Sequence, residues 1–242
     1  MLTLAIQAGG ESNRMGQDKA LLPFLGQPLI ERVLSRVAHL ADEILVTSNH
    51  PEGYRFLEVA LIPDLIPGRG ALGGLYTALK SARHQLVAVV ACDMPFANPA
   101  LLAACQDILL DTDADCVIPS TDRGLEPLHA VYRRATCLRA VAAAIESGEQ
   151  RVISWHNNVN LRVLSPAEVS HFDPQNITFW NVNTPEDFVQ AEAKAIDFQK
   201  KILTQCHSQR DKYASGACGA KQSPPAKCEI ASSHRTFLAM TG

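Results

Sequence analysis

The stretch Leu2-Thr3-Leu4-Ala5-Ile6-Gln7-Ala8-Gly9-Gly10-Glu11-Ser12-Asn13-Arg14-Met15-Gly16-Gln17-Asp18-Lys19 decides the fold. Its first six residues, Leu2 to Gln7, read as a short strand, and a glycine-rich loop follows without a break. A helix is expected next, from about Gln27 to His39, where Leu29, Ile30, Val33, Leu34 and Val37 fall on one face. Working outward, Glu43 to Thr47 and Val59 to Ile62 read as further strands, and Leu72 to Arg83 has helical periodicity. Leu86 to Ala91 is an almost unbroken apolar run, which predicts a central strand buried on both faces. This alternation predicts an α/β fold, a mostly parallel sheet with helices on both faces.

The second half of the chain continues the pattern with stronger punctuation. Asn98 before Pro99 forms a helix start, cap followed by an N1 proline, for a helix through Ala104 to Leu110. Cys116 to Pro119 reads as a strand, and Leu128 to Tyr132 as another. The polar turn Asp122-Arg123-Gly124 between them predicts one antiparallel member of the sheet. Thr184, Pro185, Glu186 and Asp187 supply a cap, an N1 proline and first-turn acids for a last helix to about Phe198. Beyond Lys200, Ser, Lys, Gln, Pro, Cys and Gly dominate and Pro224-Pro225 breaks any regular pattern, so residues 199–242 read as a low-complexity, disordered tail behind a domain at 1–198.

Composition narrows the function classes. The 242 residues include 47% hydrophobic and 19% charged side chains, enough apolar material for one buried core. A formal net charge of -3 argues against broad binding to nucleic acid or to an anionic membrane, which needs clustered Lys and Arg. The N-terminus lacks a basic segment followed by a long apolar one, and no apolar run approaches the ~20 residues that span a bilayer. Seven cysteines, an odd number with no C-x-x-C pair, read as reduced thiols, so the expected location is cytoplasmic.

Placed directly after a strand, the 7–19 loop has a definite chemistry. Its glycines let backbone N–H groups surround a phosphate without Cβ obstruction, and Arg14 and Lys19 add positive charge. The pattern is that of a triphosphate site. It lacks the Gly-Lys-Ser/Thr ending of a Walker A loop and does not match the G-x-G-x-x-G dinucleotide spacing. A second signal is Cys92-Asp93-Met94-Pro95 at the end of the buried strand. A carboxylate there suits Mg²⁺, which shares itself between one or two carboxylates and substrate phosphates, although an isolated Asp-x-Pro is also a common turn.

At these residues the chain resembles the nucleotidyltransferases with a Gly-Gly-x-Ser-x-Arg-Met-Gly-x-Asp-Lys loop. The Asp18-Lys19-Ala20-Leu21-Leu22 continuation is most similar to the molybdenum cofactor guanylyltransferases. Gln7 is a departure, standing where many members carry leucine. The resemblance covers about residues 2 to 195 and implies a Rossmann-like three-layer αβα sandwich of the nucleotide-diphospho-sugar transferase type. It implies that the backbone of Gln7, Ala8, Gly9 and Gly10 holds the nucleotide, that Lys19 and Arg14 neutralise the triphosphate, and that Asp93 holds Mg²⁺.

Further positions follow from the same resemblance. Asp64, ahead of Gly68-Arg69-Gly70-Ala71-Leu72-Gly73-Gly74, matches an aspartate that binds the nucleotide, with a solvated loop acid as the plainer reading. Asn49, just past the second strand, suits a base or ribose contact and equally a turn. Glu126-Pro127-Leu128-His129-Ala130-Val131-Tyr132 and Trp180-Asn181-Val182-Asn183-Thr184-Pro185 match segments facing the second substrate. Asn181 and Asn183 there offer donors and acceptors to a polar heterocycle, alongside capping duty.

The implied reaction is transfer of GMP from GTP to the terminal phosphate of molybdenum-molybdopterin, with release of pyrophosphate. Molybdoenzyme apoproteins or other cofactor-biosynthesis proteins are the implied partners, with no role for nucleic acid or membrane. A related CTP- or UTP-dependent transferase and a non-catalytic cofactor-binding module are the competing readings.

Overall fold

The computed structural model describes residues 1–9 and 18–214. By contact density the chain divides into Met1–Phe188 and Val189–Gly242. In chain order the elements are β1 (Leu2–Gln7), a small hairpin of β2 (Pro23–Phe24) and β3 (Gln27–Pro28), α1 (Leu29–Val37), β4 (Glu43–Ser48), β5 (Ala60–Pro63) and α2 (Gly70–Ser81). Then come β6 (Leu86–Ala91), α3 (Pro99–Asp111), β7 (Cys116–Thr121), β8 (Gly124–Leu125), β9 (His129–Arg133), α4 (Arg134–Glu146), β10 (Leu161–Leu164), α5 (Pro166–Ser170) and α6 (Pro185–Ala214).

The sheet runs β10-β7-β9-β6-β1-β4-β5, with β8 paired to the end of β7. β1 lies parallel to both β4 and β6, and β5 is parallel to β4. β9 is antiparallel to both of its neighbours, β6 and β7, so the expected antiparallel member is present within a mostly parallel sheet. Register aligns the ends of the three central strands: Gln7 sits opposite Thr47 on one side and Ala91 on the other.

Period-2 alternation sorts the core into two layers. Leu2, Leu4 and Ile6 of β1 and Ala88 and Val90 of β6 pack with Ile30 and Val33 of α1 and with Leu101, Leu102 and Cys105 of α3. Ala5 of β1 and Val87 and Val89 of β6 pack on the other face with Leu72, Leu75 and Leu79 of α2 and Val141 and Ile145 of α4. The result is the three-layer αβα sandwich. Each fully buried Leu, Ile or Val in these layers contributes about 1.5–3 kcal/mol over its exposed state.

Local chemistry sets the helix ends. Asn98 Oδ1 accepts from the backbone N–H of Ala100 and Leu101 at 3.0 and 3.2 Å, capping α3 behind Pro99 as expected. At α6, Thr184 Oγ1 accepts from Asp187 N at 3.1 Å and Asp187 Oδ2 accepts from Thr184 N at 2.9 Å, a reciprocal cap.

Some boundaries differ from the sequence expectation. α1 begins at Leu29 rather than Gln27, because Gln27 and Pro28 pair with β2 and Pro28 has extended backbone, φ -50° and ψ 138°. α2 begins two residues early, at Gly70. The last helix continues past Phe198 to Ala214, since residues 199–214 contain neither Gly nor Pro and are mostly good helix formers. The remainder of the expected tail, 215–242, lies outside the described residues. No helix among the described residues is long and apolar enough to cross a membrane.

Candidate active site

The site forms beyond the carboxyl ends of β1, β4 and β6, where open α/β sheets bind ligands. Backbone hydrogen bonds stitch the departing loops together. Ala8 N donates to Thr47 O at 2.8 Å, Cys92 N to Gln7 O at 3.0 Å, and Asp64 N to Ser48 O at 3.1 Å. The loops thus leave the sheet from fixed positions, which a pre-organised site requires.

A cavity of about 390 Å3 opens between these strand ends and the start of α2. Gln7, Gly9, Ser48, Asn49, Asp64 and the glycines Gly68, Gly70 and Gly74 line it. A smaller depression of about 100 Å3, sharing Gln7 and Gly9 with the first, is lined by Ala8, Lys19, Asp93 and Leu128 among others. The size and composition suit a nucleoside: a slot walled by glycine backbone and polar side chains, next to a charged corner.

Asp64 is both part of the wall and an anchor. Its Oδ1 accepts from Thr77 Oγ1 at 2.7 Å and Ile66 N at 3.4 Å, tying the 64–69 loop to α2. Gly73 permits that closeness, because a Cβ there would lie 2.8 Å from Ile66 O and 2.9 Å from Arg69 Cβ.

Lys19 and Asp93 make the charged corner. Lys19 Nζ is 3.7 Å from Asp93 Oδ2 and donates to Asn183 Oδ1 at 2.9 Å. Burial pushes the Asp93 carboxyl above its ordinary value, and Lys19 pulls it back toward the charged form. Val182 N donates to Asp93 O at 3.0 Å, so the Asn181–Val182–Asn183 segment is laced to the same turn. Asn181 Oδ1 is buried without a hydrogen-bond partner among the described residues. Beside them the Cys92 thiol is held protonated by burial first and by the Asp93 carboxylate second, which disfavours a nucleophilic role.

The turn that carries Lys19 is set from outside. Asp18 Oδ1 accepts from Ala20 N at 3.0 Å, capping a 3-10 turn over Lys19–Leu21, and Asp18 Oδ2 accepts from the Tyr54 hydroxyl. Tyr54 is fully buried in the segment between β4 and β5. Sequence reasoning missed it, and no local pattern around Pro51–Leu57 marks that tyrosine as reaching Asp18.

Of the expected site residues, Gln7, Ala8, Gly9, Lys19, Asn49, Asp64 and Asp93 line the two connected cavities, and Asn183 reaches Lys19. Gly10 and Arg14 lie outside the described residues. His129, in the segment expected to face the second substrate, is instead buried, its Nε2 accepting from Asn98 N at 2.9 Å. Glu126 is half-buried beside Thr121, whose Oγ1 donates to Glu126 Oε1 at 3.2 Å.

Among the described residues no cluster of three or more His, Cys, Asp or Glu side chains is placed to hold an ion. As a single carboxylate, Asp93 would leave most of a cation's coordination to other oxygens, such as those of a ligand. Mg²⁺ bound to nucleotide phosphates has that character.

Known proteins share the sequence and fold of most of this chain. Residues 4–159 match the family model of the MobA-like NTP transferase domain. A molybdenum cofactor guanylyltransferase from Desulfosudis oleivorans is 34% identical over 193 residues, 79% of this chain and 95% of that protein. One from Syntrophotalea carbinolica is 33% identical over 183 residues, 76% of this chain and 87% of its own length. Among solved structures, molybdopterin-guanine dinucleotide biosynthesis protein A from Archaeoglobus fulgidus superposes with a TM-score of 0.71 at 27% identity, over 81% of this chain and 99% of that one. With its nucleotide-sized cavity beside Lys19 and Asp93, and with these relatives along most of its length, the chain belongs to the molybdenum cofactor guanylyltransferase family of MobA-like nucleotidyltransferases.

Proposed function

We propose that this protein transfers GMP from GTP to the terminal phosphate of molybdenum-molybdopterin, forming the guanine dinucleotide cofactor and pyrophosphate. The observation that carries the reading is the Lys19–Asp93–Asn183 cluster at the smaller depression, which shares Gln7 and Gly9 with the larger cavity. The nucleoside occupies the cavity, with its phosphates at the charged corner. An oxygen of the acceptor phosphate attacks the α-phosphorus, the bond from that phosphorus to the bridging oxygen of the β-phosphate breaks, and pyrophosphate leaves. The nucleophile is already an anion, so the protein's task is alignment and charge stabilisation without a covalent intermediate.

Each residue then has a limited duty. The backbone of Gln7, Ala8, Gly9 and Gly10 holds the nucleotide, Asn49 and Asp64 border the nucleoside, and Lys19, with Arg14, offsets triphosphate charge. Asn181 and Asn183 face the acceptor, and Asn183 also orients Lys19. Asp93 would hold Mg²⁺, which supplies charge neutralisation at the phosphates. The recipient apoenzymes are its natural partners, and the cytoplasm is the compartment consistent with both substrates.

Pyrophosphate release tests this directly, with purified protein, magnesium, a molybdopterin-bearing acceptor and GTP, CTP or UTP offered separately. Acceptor-dependent release with GTP alone is the expected result. Release with CTP or UTP instead moves the protein to a sister activity, and none with any nucleotide leaves a binding role. Asp93→Asn is expected to remain folded and lose at least about a hundredfold in kcat, the scale of removing one charge-stabilising group. A near-normal rate at saturating magnesium removes Asp93 from the metal site.

A further inference from the structure

Gln7 carries a side chain that the transfer chemistry above does not use. Gln7 is 5% exposed, and its Nε2 is buried with no hydrogen-bond partner among the described residues. An unmet buried donor is costly in a native fold, and calls for an acceptor that arrives from elsewhere. Its surroundings indicate where from. Gln7 lines both the larger cavity and the smaller depression, so its carboxamide stands in the wall they share.

Alternation along β1 directs that side chain to the face on which Ala5 packs, toward α2. There it meets Gly74. A Cβ on Gly74 would lie 2.7 Å from Gln7 Oε1 and 3.0 Å from Gln7 Cδ, so the carboxamide occupies its position only because residue 74 is glycine. The rest of the slot is glycine backbone at Gly9, Gly68 and Gly70 together with Thr47, Ser48, Asn49 and Asp64, and Gln7 adds to these a buried donor without a partner among the described residues.

We propose that the Gln7 carboxamide selects the base, donating Nε2–H to a carbonyl oxygen on the base edge, the 6-oxygen of guanine, with Gly74 keeping the position of the amide open. This rests on the guanylyltransferase reading and adds to it a side-chain determinant of nucleotide choice. A 6-amino group in place of that oxygen faces the Nε2 donor, and the carboxamide can pair with it only by turning Oε1 away from its place beside Gly74, so the 6-oxygen is preferred.

Equilibrium binding to the full chain with magnesium tests it, comparing GTP with 2-aminoadenosine triphosphate, which keeps the 2-amino group and differs at position 6 and in the proton at N1, so the role of Gln7 is read from the change in the ratio on its substitution. Gln7→Met keeps the shape of the side chain and removes the donor. The expected result is a preference for GTP in the native protein that falls by about tenfold in Gln7→Met, with the melting transition retained. Gly74→Ala, which displaces the carboxamide, is expected to lower the same ratio and decides the matter if Gln7→Met does not fold. A native preference for GTP that persists in the folded variants overturns the role of Gln7 and leaves the guanylyltransferase reading intact. Equal binding of both nucleotides by the native protein counts against the reading itself.

Discussion

Tyr54 donates its phenolic hydrogen to Asp18, and that single contact reaches from the β4 to β5 connection into the turn that carries Lys19. Burial, followed by the Asp18 carboxylate, pushes the phenol well above its ordinary pKa, so it stays protonated and remains a donor at any physiological pH. Asp18 spends its other oxygen on Ala20 N. Both carboxylate oxygens are therefore committed to holding the backbone one residue before Lys19, rather than to substrate. Tyr54→Phe is expected to cost about 1.5–3 kcal/mol of stability, the range for a hydrogen bond to a charged group. It should also lower kcat/KM for GTP by roughly tenfold as Lys19 loses its fixed approach to Asn183. Steady-state kinetics beside a urea melt separate the two effects, and unchanged kinetics would mean that the Ala20 cap alone positions Lys19. None of this is visible in the sequence, since Tyr54 and Asp18 are 36 positions apart and nothing local links them.

Among the elements, the junction of β9 and α3 carries a buried titratable group. His129 is fully buried on β9, and its Nε2 accepts from the backbone N–H of Asn98, the residue whose side chain caps α3. Burial lowers the His129 pKa to about 4 from an ordinary 6.5, with Arg36 adding to the effect. The unfolded chain then binds a proton below pH 6.5 that the folded chain refuses until about pH 4. Stability from this group is complete above pH 6.5 and is lost as pH falls through that window, by on the order of 3 kcal/mol in all. Denaturant midpoints between pH 7.5 and 4.5 should fall accordingly in the native protein and more shallowly in His129→Gln, and parallel slopes would exclude His129 as the source. Elements with their own punctuation were legible beforehand: Asn98-Pro99 and Thr184-Pro185 each begin a helix where capping chemistry requires. The start of α1 was not, because pairing of Gln27 with Phe24 outweighs the local helical pattern. The length of α6 was not legible either, because the polar composition of residues 199–214 masks the absence of Gly and Pro that lets the helix continue.

At the scale of the molecule, the architecture was readable because it rests on repeated signals, whereas the site depends on encounters the chain order hides. An apolar β6 must be central, and it lies between β1 and β9 with both faces covered. The same arrangement brings Gln7, Asn49, Asp64 and Asp93 to the carboxyl ends of the central strands, from the end of β1 and three separate loops. The sequence marked these residues one at a time. That Lys19 meets Asn183, 164 positions away, comes only from the folded loops.

A site assembled from so many elements exists only in the native state, so its ligand is linked to global folding. GTP with magnesium at about 100 times its Kd should stabilise the fold by about 2.7 kcal/mol. For a chain of this size that corresponds to a rise in Tm of roughly 5–10 °C. Asp93→Asn should keep its unliganded Tm and lose most of the GTP-dependent rise, because it removes a ligand contact and leaves the β1, β4 and β6 framework in place. Scanning calorimetry across a GTP titration reads both quantities at once. An equal rise in the variant would place the nucleotide away from Asp93, and no rise in the native protein would mean that the cavity beside β1 does not take up GTP.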